Sequence, residues 1–328
     1  PRLARFSGVL HYGGTLPWLG LAAVALAVHR AWLSPAAGLR AALALILVFD
    51  LLIGFLIAIY FVLLSRVFPH PGRGGWFGGG CAAGAGAGFA GPLAAGGFIR
   101  PGSGLDAYAR LFLAAFGCFV AGTTPFFFLT ERPVRARPPR SPFANLAVLL
   151  RVWRAHRPLR RYLGARAWLE AGVLCAAFLA TYARAEGGWT ERDVTRLGTL
   201  VVAAEATACL ALGWLAGRLE RRHAAARAVY LRVQWTAQAA CVGALAFAAL
   251  GPAGPAIWLL ASATGLRVAA EFVAQPNVLL ELGPRRSRTD FVALGAIALM
   301  PALLAIPSAA GAAIEAFGHR PAFAVAAL

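Results

Sequence analysis

Apolar residues run through the chain in long uninterrupted stretches, separated by short connections rich in Arg, Gly and Pro. Nine stretches have the length of a membrane helix: 8–28, 41–65, 76–99, 105–129, 167–183, 197–217, 229–250, 256–282 and 291–314. About 20 residues at about 1.5 Å each cross a hydrocarbon core of about 30 Å. Lipid tolerates only helices and closed barrels, and the alternation of barrel strands is absent, so the pattern predicts helices. A tenth apolar run begins at Ala322 and reaches Leu328 after 7 residues, too few to cross.

Composition agrees with this pattern. Of 328 residues 60% are hydrophobic and 13% charged, with a mean hydropathy of +0.69, whereas soluble domains carry about 25% charged residues. A soluble enzyme and a disordered chain are both excluded. The net charge of +18 comes from 31 Arg against 13 acidic residues, with no Lys. A basic balance can signal nucleic acid, but the placement of the Arg points elsewhere. Alternate connections, starting with the N-terminus, carry 22 of them, and the opposite connections carry 8. Basic loops stay cytoplasmic. The N-terminus is therefore expected inside, and the charge marks topology and contact with anionic lipid on the cytoplasmic side rather than nucleic acid. Heavy Ala, Gly and Arg use suggests GC-rich coding and a bacterial inner membrane. The five Cys lie far apart in apolar stretches with no CxxC or Cys/His spacing, so they are expected to be buried inert thiols, with no metal and no cofactor.

The chain also repeats itself. A shift of 215 residues superposes Pro69 on Pro284, Trp76 on Phe291, Gly80 on Gly295, Pro92 on Pro307, Gly96 on Gly311 and Ile99 on Ile314. Parallel halves are a transporter design, in which two bundles rock about a site near the midplane. The expected organisation is a first half-bundle over 1–130, a cytoplasmic linker over 131–165 and a second half-bundle over 166–328. Within the linker, Ser141-Pro142 reads as a helix start, followed by Phe143, Leu146, Leu149, Leu150 and Trp153 at helical spacing. An amphipathic helix on the inner leaflet and a loosely ordered basic connection both fit.

Two stretches resemble the major facilitator superfamily. Gly213-Trp214-Leu215-Ala216-Gly217-Arg218-Leu219-Glu220-Arg221-Arg222 is similar to that family's short inner-loop signature, with Gly217 in place of its acidic residue and Glu220 in place of its second Gly. Asn277 to Pro284, an Arg-rich turn, and Thr289 to Gly295 resemble the join between the family's tenth and eleventh helices. The resemblance implies an all-α polytopic membrane protein of two pseudo-symmetric halves. The nine spans would be helices three to eleven of twelve, with two helices before Pro1 and most of the last one missing. It further implies a conformational role for Gly213, Gly217, Arg218, Arg221 and Arg222. Gly91-Pro92, followed by Gly96-Gly97, resembles the family's antiporter signature with one extra residue in the spacing, a lean towards efflux. Small residues and a Pro at these positions would serve close helix packing and a bend equally well.

Ionisable side chains inside spans are the candidate site. Asp50 lies near mid-membrane in 41–65 and could exchange a proton or simply hydrogen-bond to a neighbouring helix. Glu205 lies deep in 197–217 and could carry a proton or contact a cationic substrate. Arg267 and Glu271 sit four apart on one helix face, either as a structural ion pair or as a partner-switching pair holding an anionic group. Glu170 falls near the inner end of its span, within reach of water, and His11 and Trp168 read as packing residues. The expected function is a secondary transporter or permease, not an enzyme, working by alternating access with a proton coupled through Asp50 or Glu205. Its partners would be a neutral, amphiphilic or lipophilic small solute, H+ and the bilayer. A non-transporting receptor or scaffold of the same fold is the first alternative. A polytopic membrane enzyme acting on lipid is the second, weakened by six scattered His and the lack of an Asp-rich motif.

Overall fold

In a computed structural model, residues 3–67, 73–98, 104–130, 142–222, 226–284 and 288–328 are described, and among them every regular element is helical. The helices are α1 (Leu3–His29), α2 (Pro35–Val67), α3 (Arg73–Phe98), α4 (Leu105–Thr123), α5 (Pro142–Ala155), α6 (Arg157–Trp168), α7 (Leu174–Ala177), α8 (Leu179–Ala185), α9 (Glu191–Arg222), α10 (Ala226–Leu250), α11 (Ala253–Val273), α12 (Gln275–Leu282), α13 (Arg288–Phe317) and α14 (His319–Ala327). Two 3-10 turns, Thr124–Phe127 and Leu169–Val173, continue α4 and α6.

Seven helices of the described residues are long and apolar enough to cross a membrane, or eight if a bent pair counts as one span. The ninth expected span, 76–99, does form as α3, but eleven glycines among its 26 residues dilute its hydropathy, and it is not among the seven. The expected span 167–183 needs correction. Its helix starts ten residues earlier, at Arg157, with Pro158 in the first turn, passes through the 3-10 turn, and bends by 49° between Ala177 and Leu179. Residues 157–165, expected in the linker, are therefore part of this element. The span 256–282 breaks at Ala274, where Pro276 cannot donate a backbone hydrogen bond. The Asn277 amide donates to the Val273 carbonyl at 2.7 Å across that break. Of the linker, 131–141 lies outside the described residues, and α5 begins at Pro142, as the Ser-Pro signal predicts.

Two compact units are present: 1–67 with 93–139, and 68–92 with 140–328. In the first, α1, α2 and α4 pack around Trp18, whose ring lies 5.4 Å from Phe49 and 5.5 Å from Phe119. The Tyr12 and Thr124 hydroxyls share a hydrogen bond of 2.7 Å. In the second, the core runs along α7, α8, α10, α11 and α14, with Tyr182, Leu245, Ile257, Leu260 and Phe323 fully or almost fully buried. The Tyr182 hydroxyl donates to the Ala248 carbonyl at 3.0 Å, so the buried ring leaves no polar atom unpaired.

Candidate functional site

The second unit holds a closed ring of four charges. Arg-x-x-x-Glu occurs twice in the chain, as Arg166 to Glu170 and as Arg267 to Glu271. Four residues on a helix bring Arg and Glu to one face. Arg166 Nη1 lies 2.5 Å from Glu170 Oε1, and Arg267 Nη2 lies 2.7 Å from Glu271 Oε1. The two segments run in opposite directions, so each Arg also meets the other segment's Glu. Arg267 Nη2 donates to Glu170 Oε2 at 2.9 Å, and Arg166 donates to Glu271. Signs alternate around the ring and the net charge is zero.

Burial grades the corners. The side chains of Arg166 and Glu170 are each 1% exposed, Arg267 is 8% and Glu271 is 26%. Glu170 gives a separate oxygen to each Arg, whereas Glu271 receives both on one oxygen. Glu271 is thus the most accessible corner, with its second oxygen unused among the described residues. Around the ring, Gln238 accepts from Arg166 Nη1 at 2.8 Å and donates to the Leu169 carbonyl at 3.0 Å, in the amide orientation that matches donors to acceptors. Next to it the Tyr162 hydroxyl donates to Gln234 at 2.8 Å. The Nε atoms of both Arg are buried without a partner, so the guanidinium groups keep unused donor capacity.

The 3-10 turn places Glu170. A Cβ at Gly172 would come within 2.7 Å of the Gln238 side-chain amide and 3.1 Å of Cys241, so only Gly lets the turn lie so close to α10.

Two expectations change here. Arg166, just outside the expected span 167–183, and Glu170, expected within reach of water, are both almost wholly buried in the ring, because each cancels the other's charge and that of the α11 pair. The sequence signal was the repeated Arg-x-x-x-Glu spacing. Gln238, Gln234 and Tyr162 carried no comparable signal.

The remaining candidates are placed elsewhere. Asp50 lies exposed midway along α2, in the other unit. Glu205 is half-buried on α9, where a Cβ at Gly265 would come within 2.6 Å of its backbone nitrogen, so α9 and α11 touch backbone to backbone. His11 bonds to the Ser7 carbonyl at 2.7 Å and stacks on Phe126 at 4.7 Å, and Trp168 is exposed.

The Gly213 to Arg222 stretch is helical throughout, inside α9. A Cβ at Gly213 would sit 2.6 Å from the Cα of Gly78, and one at Gly78 would sit 2.4 Å from the Cα of Gly213. Gly217 is buried, Arg218 lies over the Trp214 ring at 5.3 Å, and the side chains of Arg221 and Arg222 are outside the described residues. On α3 the close approach is at Gly74 and Gly78, where the neighbours are Ala216, Tyr230 and Gly213. A side chain at Gly91 would meet nothing within 4 Å. Pro92, Gly96 and Gly97 are helical, and their side-chain surroundings lie outside the described residues.

The cysteines are less scattered than their spacing suggested. Cys81 packs against Cys209, the Cys175 thiol donates to the Cys241 backbone carbonyl at 3.6 Å, and all five are free. Cys118 is exposed rather than buried.

No protein-family model and no curated protein matches the chain. Among 17 matching chains of solved structures is that of the human organic anion transporter MFSD10 (TETRAN), with a TM-score of 0.65 and 17% identity over 99% of this chain and 80% of that one. The fold is therefore that of this solved transporter, an all-α polytopic membrane bundle.

Proposed function

We propose that the protein is a secondary membrane transporter in which the Arg166–Glu170–Arg267–Glu271 ring is the site of charge exchange. One observation carries this reading: a four-membered ring of ion pairs, almost wholly buried, with one corner bound through a single oxygen and partly open. Buried ion pairs add little net stability over an apolar core, so a ring of this kind is suited to switching between partners. Protonation of Glu271 would release a share of both Arg, and an anionic group on the solute would take that place. This extends the expected partner-switching role of Arg267. It also narrows the expected neutral, amphiphilic or lipophilic solute to a lipophilic one bearing a single anionic group. The likeness to an organic anion transporter is in keeping with such a solute.

In this scheme the half-bundles 1–130 and 166–328 alternately open to the two sides, with the N-terminus in the cytoplasm. H+ is the coupling ion, the direction leans to efflux, and Asp50 and Glu205 remain further proton carriers. Proteoliposomes carrying a pH gradient test it. Uptake of a hydrophobic organic anion is expected to follow the gradient in the native protein. In Glu271→Gln it should lose that dependence, and in Arg267→Gln it should fall at least about tenfold. Gradient-driven transport unchanged in Glu271→Gln would remove the ring from the mechanism.

A further inference from the structure

A groove of about 420 Å³ lies between α6, α10 and α12, and none of the four ring residues lines it. The exposed Arg157, Arg161 and Arg227 form its rim, and the half-buried Leu231, Trp235 and Leu282 line it with other largely apolar residues. No acidic residue lines it among the described residues. All three Arg are exposed, and none pairs with a carboxylate among the described residues.

This concentration of positive charge is unfavourable on its own. Arg157 and Arg161 are four apart on one helix face, where like charges repel. Arg157 opens α6 and Arg227 stands second in α10, at helix starts that favour negative groups, and neither helix has an acid in its first turn. Three guanidinium groups and two helix N-termini thus face one space with nothing negative in it. An anion would relieve all of them together.

The apolar wall says which kind of anion. Along α10 the groove runs from Arg227 through Leu231 to Trp235, eight residues or about 12 Å at 1.5 Å each. The charged end and the greasy end are separated by about two helix turns, as in a lipid whose phosphate sits at the interface and whose chain enters the hydrocarbon. Trp235 has the amphipathic ring common at that depth. A small soluble anion would use only the rim.

We propose that this groove is a binding site for one anionic phospholipid of the leaflet it faces, with the phosphate held by Arg157, Arg161 and Arg227 and an acyl chain along Leu231 and Trp235. This names a particular seat, where the overall charge bias implied only general contact with an anionic leaflet. It stands whether or not the protein is a transporter.

Native mass spectrometry of the full chain, purified from mixed phosphatidylglycerol and phosphatidylcholine micelles, tests it directly. The native protein should retain one phosphatidylglycerol in clear excess over phosphatidylcholine; no excess overturns the proposal without recourse to any variant. At about fivefold per basic residue near a charged membrane surface, Arg157→Gln/Arg161→Gln/Arg227→Gln should lower that retention by on the order of a hundredfold. The charge-matched Arg30→Gln/Arg40→Gln/Arg110→Gln should not. Equal loss in both triples would mean net charge alone is read, and would sink the proposal. Trp235→Ala should weaken phosphatidylglycerol but not soluble glycerol phosphate. Displacement of the lipid by millimolar glycerol phosphate would show that the apolar wall takes no part, and would also overturn it.

Discussion

Arg166 and Glu170 show what a charge needs in order to be buried: an opposite charge on each side. Removing one partner of a buried pair leaves the other unpaired and costs about 3–5 kcal/mol. Arg166→Met is therefore expected to destabilise the protein by about that much in denaturant or thermal unfolding, and Glu170→Met likewise. The double variant should cost markedly less than the sum of the two, since the Arg267–Glu271 pair survives intact; strict additivity would show that the four residues do not act as a ring. His319 makes a second residue-scale case. It opens α14 with its Nε2 3.1 Å from the Thr181 hydroxyl and its ring edge-on to Tyr182. Burial against these groups lowers its pKa below the usual value near 6.5, partly offset by Glu186, and so favours the neutral ring. A depressed pKa contributes stability that is present above about pH 6.5 and is lost as the pH falls below it. The melting temperature should accordingly drop between about pH 7 and pH 5, and His319→Gln should flatten that drop. Half of the ring was readable beforehand: Arg267 and Glu271 lie inside one apolar run, so their spacing pointed to a pair. Arg166 and Glu170 have the same spacing, but they straddle the edge between an apolar run and an Arg-rich connection, where averaging assigns an Arg to water. That the two pairs meet depends on antiparallel packing, which local spacing does not encode.

At the scale of elements, glycine marks where helices touch. The sequence draws attention to Gly91-Pro92 and Gly96-Gly97, yet the backbone contact in the described part of α3 is at Gly74 and Gly78, against α9. A glycine run reports that close approach is possible at many points, and only the partner helix selects one. Gly78→Ala is expected to destabilise by about 1–3 kcal/mol, since its Cβ would collide with the Gly213 backbone and helix backbones cannot yield locally. Gly79→Ala, where a Cβ meets nothing within 4 Å, should instead gain a little from helix propensity, up to about 1 kcal/mol. Thermal unfolding of the two variants side by side separates the cases. The broken elements were less legible. Pro276 announces the break before α12, whereas the 3-10 turn at Leu169–Val173 has no Pro and depends on the press of Gln238 against Gly172.

For the whole molecule, the apolar runs alone conveyed a helical membrane bundle and the order of its long helices, because length and hydropathy are set residue by residue, while several helices start 5 to 10 residues before the apolar run does. Sidedness rests on the division of the Arg residues and has its own test. In a background lacking the five native Cys, Ser34→Cys should react with a membrane-impermeant maleimide in intact cells, and Ala155→Cys only after permeabilisation. The reverse pattern would invert the topology. One local contact also bears on how such a bundle could move. Where α3 and α9 meet, backbone lies on backbone at Gly78 and Gly213, and the side chains packed beside that point, Cys81 and Ala82 against Ala208 and Cys209, are small, so little rotamer freedom has to be reset before one rod shifts along the other. Long teeth hold a gear in register; short ones do so weakly, and a glide of a few ångströms there forfeits only the small dispersion contacts of these side chains.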